Sequence, residues 1–157
     1  ILDGFDGPTA PVPPPLPTPL LLHFYPHRCY VRLTFVATRK REPVQLSQLS
    51  FFDGSIGVPI VAVRNPGGQN PRGEGPENLS DGSMGTKFHD HNSRPIICEL
   101  MGCCSLDGYA FATANNLDGR DPVRWRLDGS SDGRVWRVLD DRSCVDQDVP
   151  KARNRML

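Results

Sequence analysis

Residues 120–143 read R-D-P-V-R-W-R-L-D-G-S-S-D-G-R-V-W-R-V-L-D-D-R-S. The stretch holds both tryptophans of the chain and two Asp-Gly pairs within a dense mix of charge. It is either an aromatic, charged binding surface or two strands joined by a polar turn. Alternation separates the two. Val123, Trp125 and Leu127 share one face of an extended segment, and Arg124 and Arg126 share the other. Beyond the turn Asp128-Gly129-Ser130-Ser131-Asp132-Gly133, Trp136 and Val138 alternate with Val135, Arg137 and Leu139. The pattern predicts strands over 123–127 and 134–139. It predicts both Trp125 and Trp136 in structural roles, as filling between two β layers, because burying an indole stabilises a small core by several kcal/mol (~2–3 for a large apolar side chain). The arginines then form an outer face, balanced by Asp118, Asp121, Asp128 and Asp132.

Working outward, the same period-two signal recurs. Y-V-R-L-T-F-V-A-T (30–38) places Val31, Leu33, Phe35 and Ala37 on one face. Further strands are predicted over 44–52, 58–63, 96–100 and 108–114, each bounded by turn residues. The basic triplet 39–41 and the run Asp140-Asp141-Arg142 read as solvated strand ends. Residues 64–95 are rich in Gly, Pro and Asn and read as a long loop held by specific contacts. No amphipathic helix pattern is present. With 16 prolines and 15 glycines, the chain favours turns and short strands, hence an all-β sandwich or barrel. Residues 1–28 contain P-V-P-P-P-L-P-T-P and are predicted to be an extended, polyproline-like tail that docks on its own domain or on a partner; residues 29–157 form the domain.

The formal net charge is zero, which argues against a nucleic-acid partner, since phosphate binding draws on excess Lys and Arg. No apolar run is long enough for a transmembrane segment. The sequence starts at Ile1, which reads as a processed or partial chain; an organellar or secreted location after N-terminal processing is the expectation that follows. Five cysteines (29, 98, 103, 104 and 144) lack the paired spacing of a zinc site. They read as buried small hydrophobes in a reducing compartment, or else one bridge joins Cys98 to Cys103 or Cys104.

Four motifs, in order along the chain, carry a resemblance. They are V-Q-L-S-Q-L-S-F-F-D-G (44–54), E-N-L-S-D-G-S-M-G-T-K-F (77–88), T-A-N-N-L-D-G-R-D-P-V-R-W-R-L (113–127) and D-G-S-S-D-G-R-V-W-R-V-L-D (128–140). Together they resemble the discoidin-like, galactose-binding-domain-like family over about residues 30–155. The resemblance implies an antiparallel jelly-roll sandwich. Two positions depart from it: Gln48 stands where Glu is usual, and Phe88 where Trp is usual, which keeps packing but loses the indole donor. The resemblance also leaves the closing strand open: it is missing, or the first strand or the tail covers that edge.

Candidate chemistry is sparse. His89-Asp90-His91 would put two imidazoles on one face of a strand, with Cys98 as a third metal ligand; two ligands are not a site, and a solvated loop is expected instead. Asp81-Gly82 is a turn. In many modules of the resembled family this region binds a structural calcium ion through carbonyls and carboxylates, which here implies Asp81 with Glu77. Arg120-Asp121-Pro122 sits at a strand entrance. Arg120 is expected to pair with a carboxylate such as Asp140 as a structural clamp, with Asp121 accepting backbone N–H bonds; ligand recognition by Arg120 is the alternative. No nucleophile elbow, P-loop or dinucleotide fingerprint occurs, so no catalytic residue is assigned and an enzyme is not expected.

Two functions are open. The first is a non-catalytic interaction module, an accessory or structural subunit of a larger protein assembly, its tail docking on another subunit. The second, implied by the resemblance, is a carbohydrate-binding module using Phe88, His89, Asn92, Tyr109, Asn115, Asn116 and Arg120. Exposure of the aromatic residues separates them.

Overall fold

The computed structural model describes residues 28–102 and 105–156. The tail 1–28 lies outside the described residues except for Arg28, which opens the first strand. Ten strands follow: β1 (Arg28–Thr38), β2 (Val44–Leu46), β3 (Gln48–Asp53), β4 (Ile56–Val58), β5 (Ile60–Arg64), β6 (Phe88–Asp90), β7 (Ile96–Met101), β8 (Gly108–Ala112), β9 (Pro122–Ser130) and β10 (Arg137–Arg142). All pairings are antiparallel. A five-stranded sheet runs β10-β9-β1-β7-β5; β4-β3-β8 and the short β2-β6 pair lie against it. Two 3₁₀ turns, Pro76–Leu79 and Asp118–Arg120, are the helical elements described. No helix among the described residues is long and apolar enough to cross a membrane. The chain is an all-β antiparallel sandwich.

Its core follows from alternation. β1 is central in the large sheet, and its register sets Leu33 opposite Leu127 and Phe35 opposite Trp125. Val31, Leu33 and Phe35 therefore point inward together with Ile96, Cys98 and Leu100 of β7 and Val123, Trp125 and Leu127 of β9. The facing layer supplies Val44, Leu46, Leu49, Phe51, Phe88 and Phe111. The layers meet in an edge-to-face contact of Phe111 with Trp125, centroids 5.0 Å apart, and a stack of Phe35 on Phe88 at 6.5 Å.

Three predicted strands are recut, each for a local reason. The run 44–52 breaks at Ser47, whose N–H bonds Ala112 O at 2.9 Å; the strand changes partner there, from β6 to β8. The run 58–63 breaks at Pro59, which has no N–H to give a ladder. The last strand starts at Arg137 rather than at 134. Asp132 Oδ1 accepts the amides of Arg134 and Val135 at 2.8 and 2.9 Å and keeps them in the turn. A register shift between Val138 and Asp140 then bulges Leu139 out.

The late start of this strand leaves the second indole outside it and corrects its reading. Trp136 is not core filling. It lies half-buried on the outer face of the large sheet, stacked on the Arg32 guanidinium at 4.5 Å from the ring centroid. Arg32 in turn bonds the buried Asp128 carboxylate at 3.0 Å.

The closing edge of the small sheet is met by the chain's own last described residues. Thr113 N–H bonds Arg155 O at 2.9 Å, and Met156 forms a bridge pair with Ala112 beside β8. Among the cysteines, Cys98 is a free thiol in the core and forms no bridge; burial pushes its thiol up to about 12. Cys144 is free and exposed. Cys29 is disulfide-bonded, its partner lying outside the described residues, which departs from the all-reduced expectation.

Candidate functional site

The β2–β6 pair brings polar side chains together where an apolar sandwich would not be expected to hold them. Val44 and Leu46 serve the core, so Gln45 between them must face the other way; its cross-strand partner is His89. Both are nevertheless buried, at 0% and 3% exposure; the 115–120 segment lies against Gln45 and Glu74 against His89. Gln45 Nε2 fastens that segment, donating to Leu117 O at 2.9 Å and to Asn116 O. Arg120 ends the 3₁₀ turn on the same segment, its N–H on Leu117 O.

Three buried polar atoms here have no hydrogen-bond partner: Gln45 Oε1, His89 Nε2 and Arg120 Nε. Arg120 Nε lies 3.5 Å from Glu42 Oε2, an ion-pair contact without hydrogen-bond geometry. Leaving such groups dry costs about 1–3 kcal/mol each, so a water or a ligand hydroxyl is the natural complement. Around them, His89 Nδ1 meets Glu74 Oε2 at 3.1 Å, and Lys87 Nζ reaches Glu74 at 3.5 Å and Asn116 Oδ1 at 3.0 Å. Burial pushes the His89 imidazole below the usual histidine range; the Arg120 charge adds to this and the Glu74 bond opposes it.

The sequence-assigned ligand residues thus divide. His89, Asn116 and Arg120 converge. Phe88 does not present a platform, since it is fully buried against Phe35. His89 and Asp90 belong to a strand rather than a solvated loop, and His91 alone of that motif is exposed. Asp90 instead organises the long loop: its carboxylate accepts the amides of Gln69, Arg94 and Asn92 at 2.7, 2.7 and 3.0 Å. Asn92 commits its side chain to Gly67 O at 3.0 Å, and Asn115 to Gly85 O at 3.2 Å. Tyr109 turns toward the large sheet, its hydroxyl between Trp125 and Asp140. Gln45, Glu74 and Lys87 were missed. A glutamine between two inward aliphatics was the signal for the first.

The expected clamp is built from other partners. Arg120 pairs with Glu42, while Asp140 takes Arg142 and Tyr109. Asp121, fully buried, is gripped by Arg153, with Nη1 2.9 Å from Oδ1 and Nη2 on Oδ2, and by Arg39 at 3.4 Å. Arg39 is therefore no solvated strand end; it also donates to Val149 O at 2.7 Å.

Asp81 and Glu77 do not present a cation cage as arranged. Asp81 accepts from Ser83 N–H and Gln48 Nε2, both at 2.8 Å, and from Thr86 Oγ1 at 2.6 Å. The Thr86 bond, followed after the opposing effect of burial by those from Ser83 and Gln48, holds its carboxyl below the usual range. Glu77 folds its carboxylate over Gly75. Among the described residues, no group of three or more His, Cys, Asp or Glu is placed to hold a metal.

One further surface stands out. A groove of about 640 Å³ opens between β1, the 105–106 loop and the β9–β10 turn, lined by Cys29, Tyr30, Val31, Leu106, Val135 and Leu139. Beside it, Val135 in the turn is 76% exposed, and Val138 and Leu139, on the outermost strand of the large sheet, are 52% and 44% exposed. Compared with known proteins, the chain matches no family model, no curated protein and no solved structure.

Proposed function

We propose that this chain is a non-catalytic interaction module, an accessory part of a larger protein assembly. The observation that carries the reading is the aliphatic groove beside β10. An edge strand with an unprotected Val138 and Leu139, next to an exposed Val135 in the turn before it, is a liability for a lone protein and a docking site within an assembly. The aromatics argue the same way: Phe88 and Trp125 are buried, Tyr109 is committed to two hydrogen bonds, and Trp136 is covered by Arg32. Among the described residues, none of these aromatic faces is free beside Asn115, Asn116 and Arg120 for a sugar ring to stack on. The proline-rich residues 1–27, outside the described residues, are read as a tether, since polyproline segments lose little entropy on docking.

The test is purification of the full chain from its native source, followed by mass spectrometry of what co-elutes. A defined partner should be retained by the wild type and lost by a Val138→Glu, Leu139→Glu variant that keeps its circular dichroism. A wild-type chain that elutes alone and binds a glycan array would reject the reading.

A carbohydrate-binding module is the second reading, and one observation favours it. A ligand hydroxyl is both donor and acceptor, so it complements an orphaned acceptor such as Gln45 Oε1 or an orphaned donor such as Arg120 Nε. The resemblance to the discoidin-like family agrees with this reading, but sandwiches of this architecture serve many functions. Glycan binding that disappears in Arg120→Ala would move the assignment here.

A further inference from the structure

Gln48 opens β3 and is buried, its side chain reaching into the 78–86 loop. Its Nε2 lies 2.8 Å from Asp81 Oδ1, 3.0 Å from Ser83 O and 3.4 Å from Asn78 O. Thr86 Oγ1 closes the far side, donating to Asp81 Oδ2 and lying 3.1 Å from Ser83 O. All three atoms facing the amide nitrogen are acceptors. Turning the amide over would set its carbonyl oxygen against a carboxylate and two carbonyls, so the network admits one orientation. One carboxylate and two backbone carbonyls converging on a point is the beginning of a hard-cation site, which takes about six to eight oxygens with water completing the shell. Here the point is held by a nitrogen donor on a covalent stem.

We propose that the Gln48 amide is a built-in replacement for a divalent cation. It ties the 78–86 loop to β3 without metal, and exchanging its nitrogen for oxygen converts the loop into a calcium site. The physical reason is charge. Gln48→Glu removes the amide donor that faces the Asp81 carboxylate and the two carbonyls, and it places a second carboxylate beside Asp81, where the two repel. A calcium ion supplies the missing positive charge and finds two carboxylates and two carbonyls already gathered. Wild type offers a positive N–H dipole at the same point, which a cation would have to displace.

The test compares wild type, Gln48→Glu and Gln48→Leu by thermal unfolding in EDTA and in millimolar calcium, with calorimetric calcium titration. Wild type should melt at the same temperature in both buffers and show no calcium heat. Gln48→Glu should melt lower in EDTA, regain most of the loss in calcium and bind one ion per chain, with magnesium much less effective. Gln48→Leu should melt lower in both buffers equally. Stoichiometric calcium binding by wild type that is lost in Asp81→Asn would overturn the proposal. So would a folded Gln48→Glu that ignores calcium, or a Gln48→Leu as stable as wild type. If Gln48→Glu fails to fold in either buffer, the wild-type titration and the Gln48→Leu melt decide.

Discussion

The Trp125 indole N–H donates to the Tyr109 hydroxyl at 2.8 Å. The phenol in turn donates to Asp140 Oδ2 at 2.6 Å, so one hydroxyl ties β8 of the small sheet to β9 and β10 of the large one. Tyr109→Phe keeps the ring and removes the link, leaving a buried indole donor without a partner. Unfolding in urea should show a loss of about 1–3 kcal/mol. The Trp125 emission should shift as its N–H loses the phenol. An unchanged midpoint would mean that water replaces the hydroxyl at no cost.

The same hydroxyl sets an alkaline limit. Burial, then the bond to Asp140, raises the Tyr109 phenol from an ordinary 10.0 to about 12. The folded state therefore keeps a proton that the unfolded state gives up. Stability from this group is fully present below pH 10 and is lost as pH rises from there through about 12. Wild type should lose melting temperature across that window more steeply than Tyr109→Phe. Parallel slopes would show that the phenol titrates alike in both states.

An acid limit comes from Asp90. Burial alone would raise its carboxyl, but the amides of Gln69, Arg94 and Asn92 and the Asn65 side chain outweigh burial and hold it below the ordinary 3.8. A carboxylate depressed in the fold stabilises above its unfolded pKa, and the contribution fades as pH falls below that value. Asp90→Asn should flatten the acid limb of the stability profile. It should also speed hydrogen exchange at Gln69 and Arg94, whose N–H groups lose a charged acceptor. If exchange at these amides is unchanged, the loop is held by something other than this carboxylate.

The apolar half of the sandwich was legible in the sequence because alternation and burial are one physical fact: Val31, Leu33 and Phe35, or Val123, Trp125 and Leu127, have nowhere to go but inward. What was not legible depends on partners distant in sequence. Trp136 stands ahead of a strand that begins only at Arg137, because the Asp132 carboxylate keeps Arg134 and Val135 in the turn, and no periodicity within 134–139 carries that information. Gln45 meets a segment some seventy residues beyond it, and His89 meets Glu74 fifteen residues before it. Arg120 meets Glu42 rather than Asp140, since the two are equally plausible carboxylates until the topology places one of them nearby.

The grip of Arg153 on Asp121 gives the last prediction. Asp121 has no exposed side chain, and Arg153 meets both of its oxygens while also donating to Ala114 O and Asn116 O. A carboxylate buried this deeply cannot be left half-paired, and Arg39 at 3.4 Å is too distant to take over alone. Arg153→Ala should cost about 3 kcal/mol, at the low end for breaking a buried pair because the arginine keeps some solvent contact. The damage should be local first. Thr113, which bonds Arg155 O at 2.9 Å, should exchange its amide hydrogen faster well below the global transition, as the chain's last residues detach from β8. Arg153→Lys keeps the charge but not the fork, so it should fall between the two. If Arg153→Ala speeds exchange uniformly across β1 and β9 as well, the pair stabilises the whole sandwich rather than latching its final segment.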